Sequence, residues 1–192
     1  MKNLLLAIVI AFISHVVTLK PEPLPVYAET VPKQKVNEVI KPVVAEEVAK
    51  WTVSSSPNTK VSVAQINYFL ENFKNRGLSK EGASYLIGNF ITESYLTSCE
   101  QSGDGGLALG LAQWHPSRRQ DMPCDLNQQI EWAFSTEMVR DSSGMGYTCV
   151  CESVKTNDID LIKSTIQKWE RWGELGNRWE YSQNIYEQIK AQ

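Results

Sequence analysis

The chain has 192 residues, 42% of them hydrophobic, with a formal charge of −3, two histidines and four cysteines. The charge is uneven: the first 60 residues carry +2 and the rest carry −5. An acidic domain is poorly suited to nucleic acid, which is held largely through phosphate contacts from Lys and Arg.

Residues 1–28 read as a signal peptide or a membrane anchor. Lys2 supplies a positive start, residues 4–19 are almost wholly apolar, and Val26-Tyr27-Ala28 is a candidate cleavage site. An apolar core of that length is long for a signal peptide and short for a free-standing membrane helix, so both uses stay open. Either one predicts an exported protein, secreted or tethered to a membrane through residues 4–19. Residues 29–60 read as a flexible linker. Pro21, Pro23, Pro25, Pro32, Pro42 and Pro57 run through residues 20–60. Proline at that density blocks helix and sheet and favours extended chain.

Residues 61–192 are enough for one domain with its own core, expected as a monomer. The pattern predicts a mainly helical domain. A first helix opens on Ser62-Val63-Ala64-Gln65, a capping-box signature. Val63, Ile66, Phe69, Leu70 and Phe73 give it an apolar face, and Gly77 suits its end. A second helix starts near Ser79 as N-cap, with Ala83, Leu86, Ile87 and Phe90 at helical spacing. Glu93 continues that face in the last turn. Both burial and the helix dipole disfavour a bare carboxylate there, which suits a group that holds and donates a proton. Next, Gly103 to Gly110 breaks the periodicity. Asp104-Gly105 signals a turn, so an irregular loop or a small β-hairpin is expected. Further helices are expected over residues 127–139, 158–172 and 179–189. No alternating strand series appears, so an extensive sheet is not expected.

All four cysteines, Cys99, Cys124, Cys149 and Cys151, fall in the domain. Export makes disulfides their expected state. Three pairings are possible. A bond between Cys149 and Cys151, with one residue between, is the least expected on geometric grounds. The other two pairings join Cys99 and Cys124 separately to the 149–151 segment. Zinc is the rival use of the cysteines, but there is no Cys-x-x-Cys pair and His115 is the one histidine of the domain. No metal and no cofactor are expected.

The segment GNFITES, followed by GDGGLALGLAQWH, resembles the phage tail lysozyme family, similar in style to goose-type lysozymes and soluble lytic transglycosylases. QQIEWAFSTEM from Gln128 and KWERWGELGNRWEYSQ from Lys168 also resemble its later segments, so the likeness covers roughly residues 61–192. It implies a lysozyme-like helical fold and cleavage of the β-1,4 MurNAc–GlcNAc bonds of peptidoglycan glycan strands. Glu93 falls in the catalytic acid position. Asp104 would be the second carboxylate, a less uniform feature of the family. A tail origin would make the protein virion-associated, whereas the exported start points to the cell envelope.

Two carboxylic acids flanking the bond suit glycoside cleavage. Glu93 would protonate the leaving oxygen. Water assisted by Asp104 would then give hydrolysis, or the sugar's own C6 hydroxyl would give an anhydro product. Asp104 has a plainer use as a turn residue bonding its own backbone. Gln113 is a candidate for hydrogen-bonding the sugar. Trp114 either floors a sugar subsite or belongs to the core, and His115 either positions water or is a loop residue. Glu170 and Arg178 read as a structural ion pair. A contrasting function is a wall-binding module that keeps the cleft without breaking bonds.

Overall fold

The structure, a computed structural model, describes residues 50–192. The apolar segment at residues 4–19 and most of the 29–60 stretch lie outside the described residues. Where the 29–60 stretch is described, it packs rather than spaces. Val53 is buried, and its amide donates to Asn67 Oδ1 at 2.7 Å. The amides of Ser54 and Thr52 donate to Gln188 and Gln192 at 2.8 and 2.9 Å. The packed unit therefore begins about ten residues ahead of Val61.

Helix α1 spans Val63–Asn75 and carries the expected capping box, with Ser62 accepting from the Gln65 amide and Gln65 reaching back. Helix α2 spans Lys80–Ser94, and Ser79 caps it by accepting from the Gly82 amide. Although its sequence shows one apolar stripe, α2 is buried on nearly every side from Gly82 to Ile91. It is the central helix, packed on α1 and on two later helices, α6 (Ile159–Glu170) and α7 (Arg178–Ile189). Two glycines make that burial possible. A Cβ on Gly82 would lie 1.8 Å from the Val154 carbonyl oxygen, and one on Gly88 would lie 2.2 Å from Ser182 Oγ. At Gly88 the backbones of α2 and α7 approach closely enough that only hydrogen fits between them.

After α2 the chain turns through Tyr95 and Leu96, both left-handed, and forms the small hairpin. Strands β1 (Ser102–Gly103) and β2 (Ala108–Leu109) are antiparallel, with Ser102 opposite Leu109. A single helical turn, Asp104–Gly106, joins them, with φ of +67° and +99° at Gly105 and Gly106. A disulfide between Cys99 and Cys124 fastens the ends of this excursion. The buried Gln129 amide pins its middle, accepting from the Leu111 amide and donating to the Pro123 carbonyl, each at 2.8 Å.

The helix expected over residues 127–139 is interrupted. Helix α3 is Leu126–Trp132, a π-helical segment covers Ala133–Glu137, and α4 continues over Met138–Met145. The wider turn presents Glu137, a fully buried acid, to Arg118 and to Trp169 Nε1, which donates at 2.5 Å. A short helix α5, Val150–Ser153, was not legible in the sequence.

The cysteine pairing corrects the sequence expectation. Cys149 bonds Cys151. Cys149 caps α5 in an extended conformation while Cys151 is already helical, and this bend leaves the two Cα atoms 5.1 Å apart, within disulfide reach. No disulfide therefore ties the 149–151 segment to the hairpin excursion.

The core joins the elements through aromatic rings. Phe90 of α2 meets Trp169 of α6 edge-on at 6.3 Å, and Trp169 meets Trp114 at 6.1 Å. Trp114 in turn meets Trp132 of α3 at 5.1 Å. Edge-on pairs of this kind add to their area burial.

Candidate active site

A cleft of about 500 Å3 opens between the end of α2 and the hairpin. One wall is built from the ends of α2, α6 and α7, which carry Glu93, Glu170 and Arg178, with Trp172 from the loop between α6 and α7; the other belongs to the hairpin and the turn after it and carries Asp104, Gln113 and His115. Arg118 also lines the cavity. The motif that names Glu93, Asp104, Gln113 and His115 in the sequence is thus gathered around one cavity.

Glu93 sits in the last turn of α2, and its side chain is 15% exposed. It is not left bare against an apolar face. Arg178, at the start of α7, donates to Glu93 Oε1 through Nη2. The same guanidinium donates from Nη1 to the carbonyls of Glu174 and Leu175, at 2.9 and 2.7 Å. Its Nε donates to Asn89 Oδ1 at 3.2 Å. It also lies 4.6 Å from the centre of the Trp172 ring, in cation–π range. Arg178 thus bonds Glu93 and not, as the sequence suggested, Glu170.

Glu170 ends α6 and receives Asn89 Nδ2 at 2.6 Å. Burial, and then the neighbouring Glu93 charge, push its carboxyl well above the usual range. Among the described residues, Glu170 is therefore the cleft acid most clearly driven toward its neutral form. It was missed because it lies 77 residues after Glu93 in sequence, and only packing of α6 on α2 unites them.

On the hairpin wall, Asp104 is largely exposed and pairs with His115 Nε2 at 2.8 Å. This partner is a side chain, not the local backbone of a simple turn. Gln113 has φ of +46° and donates to the Gly110 carbonyl at 3.0 Å. Of its two expected places, Trp114 takes the core and not the sugar subsite: it is 1% exposed, packs on Trp132 and Trp169, and does not line the cleft. An aromatic platform facing the cavity is supplied instead by Trp172. Trp169, three residues earlier, is the one that packs inward.

Behind the cleft, Arg118 bonds Glu137 at 2.9 Å through Nε, and Arg171 bonds Asp141 at 2.6 Å. Tyr147 also donates to Asp141; burial raises its phenol above the ordinary range, and so does that hydrogen bond. Neither Tyr147 nor Tyr95 lines the cleft. Among the described residues, no group of three or more His, Cys, Asp or Glu side chains is placed to hold a metal ion. Nor is any helix there long and apolar enough to cross a membrane.

The arrangement can present a carboxyl to a polymer threaded between two walls, with an arginine to balance charge and an indole for a sugar face. No curated protein and no solved structure matches the chain. The family described as phage tail lysozyme matches residues 64–189, from the first helix to the last. That match spans both walls and all the motif segments, and the chain belongs to the phage tail lysozyme family.

Proposed function

We propose that the protein is an exported peptidoglycan glycosidase that cleaves β-1,4 MurNAc–GlcNAc bonds, with Glu93 as the general acid. The observation that carries this reading is that Glu93 lines the same cleft as Asp104 in a lysozyme-family chain. The glycan strand would lie between the helical and hairpin walls, with a ring against Trp172 and polar substituents near Gln113. Glu93 would give its proton to the leaving oxygen. The carboxylate so formed would meet the Arg178 guanidinium, a counter-charge already in place. An interaction that strengthens as charge develops lowers the barrier rather than merely tightening binding. Asp104, steered by His115, would guide the water that completes hydrolysis. If the C6 hydroxyl of the sugar attacks instead, the product carries an anhydro end.

The test is product analysis by mass spectrometry from purified peptidoglycan, for the parent protein and Glu93→Gln. Glycan fragments are expected from the parent alone, with both proteins equally folded. Reducing ends would identify a hydrolase and anhydro ends a transglycosylase. Full activity of Glu93→Gln would remove Glu93 from the acid role. A folded, disulfide-bonded parent that binds glycan and releases nothing would make the domain a wall-binding module.

A further inference from the structure

Asn89 sits at the centre of a hydrogen-bonded chain between the two acids of the helical wall. It is fully buried on α2, one turn before Glu93. Its Oδ1 accepts from Arg178 Nε at 3.2 Å, while its Nδ2 donates to Glu170 Oε1 at 2.6 Å. Arg178 can only donate, so the amide oxygen must face it and the nitrogen must face Glu170. An amide satisfies both neighbours from its own atoms: an apolar residue would satisfy neither, and an aspartate could meet Glu170 only through the proton that Glu170 itself carries, with a second charge beside the guanidinium. The rest of the guanidinium is committed as well, to two backbone carbonyls and to Glu93. Its orientation is therefore set from three sides, and the remaining side points at Glu93.

We propose that Asn89 and Glu170 are positioning residues for Glu93: through the Arg178 guanidinium they hold its carboxyl in one orientation toward the cleft. This rests on the reading that Glu93 is the catalytic carboxyl. Such a chain explains why a fully buried amide stands in the helix that carries the acid, where an apolar residue would pack at lower cost. It also gives Glu170 a use that needs no charge. A carboxyl held toward its neutral form still accepts from Asn89, and so does the carbonyl of a glutamine.

The test uses the full chain and its Asn89→Asp, Asn89→Leu, Glu170→Gln, Glu170→Ala and Glu93→Gln variants, with folding checked by circular dichroism. In Asn89→Asp and Asn89→Leu, kcat on peptidoglycan is expected to fall about 100-fold, the scale of a small misplacement at a reacting group. KM should change little, and the pH–activity profile should move. Glu170→Gln should keep most of the activity that Glu170→Ala loses. Parental kcat and pH profile in both Asn89 variants would overturn the proposal. An unmoved profile with only a reduced folded fraction would do the same, because it describes a purely structural amide. Glu170→Gln as inactive as Glu93→Gln would overturn it differently, by making Glu170 a reacting group. Should Asn89→Leu fail to fold, the Asn89→Asp and Glu170 pairs still decide. Activity remaining in Glu93→Gln would sink the underlying reading and leave the Asn89 result to be read separately.

Discussion

Trp114 and Trp172 divide between them the two uses that a tryptophan near a glycan cleft can have. Trp114 stands beside the motif residues in sequence, yet its indole fills the space between α3 and α6. Trp114→Ala should cost about 3–5 kcal/mol of stability, read by denaturant unfolding. Trp172 faces the cavity from the far end of the chain. Its replacement by Ala should raise KM for glycan about fivefold, the scale of one lost ring contact, with a much smaller change in stability. Glu170 makes a pH prediction. Its folded carboxyl binds a proton well above the ordinary value of 4.5, which the unfolded chain approximates. As pH rises from there, the unfolded state releases this proton first, so stability falls through the interval up to the folded value. Glu170→Gln cannot titrate. Urea unfolding across that interval should show a flatter slope for the variant, and an equal slope would mean that Glu170 is ionised in the folded protein.

At the scale of elements, the junction of α2 and α7 fixes the relation between Glu93 and Arg178. Gly88→Ala would place a methyl group 2.7 Å from the Arg178 carbonyl oxygen and closer still to Ser182. Backbone cannot yield as a flexible side chain does, so a loss of about 1–3 kcal/mol is expected by thermal unfolding. Activity should fall by more than the unfolded fraction explains, because α7 carries Arg178. Features that depend on neighbours in sequence were legible: the Ser62 and Ser79 caps, the turn at Asp104-Gly105, and Glu93 in a last helical turn. Features that depend on distant segments were not. Glu170 and Trp172 look like any end of an amphipathic helix until α6 lies against α2. Trp114 has the same spacing whether it faces the cleft or the core. The Cys149–Cys151 bond depends on a bend made by α5, a helix of four residues with too short a pattern to recognise.

At the scale of the whole molecule, the cleft has walls of unequal rigidity. One is built into the central helix packing. The other is an excursion with two short strands, held by Gln129 and by the Cys99–Cys124 bond. Replacing both of these cysteines by alanine removes a loop closure of 25 residues and should cost about 3 kcal/mol, measured by thermal unfolding. Hydrogen exchange should rise most between residues 99 and 124, while α2 and α7 stay protected. The charges around the cavity have one more consequence. Glu170 is held toward its neutral form, and the three arginines that line the cavity each bond another acid: Arg178 bonds Glu93, Arg118 bonds Glu137 and Arg171 bonds Asp141, while Asp104 bonds His115. A net-acidic protein thereby presents a nearly balanced surface where the polymer enters. Mobile ions have little field to screen at such a mouth. Capture of the strand should therefore be nearly indifferent to ionic strength, and the enzyme should work about as well in dilute buffer as in brine.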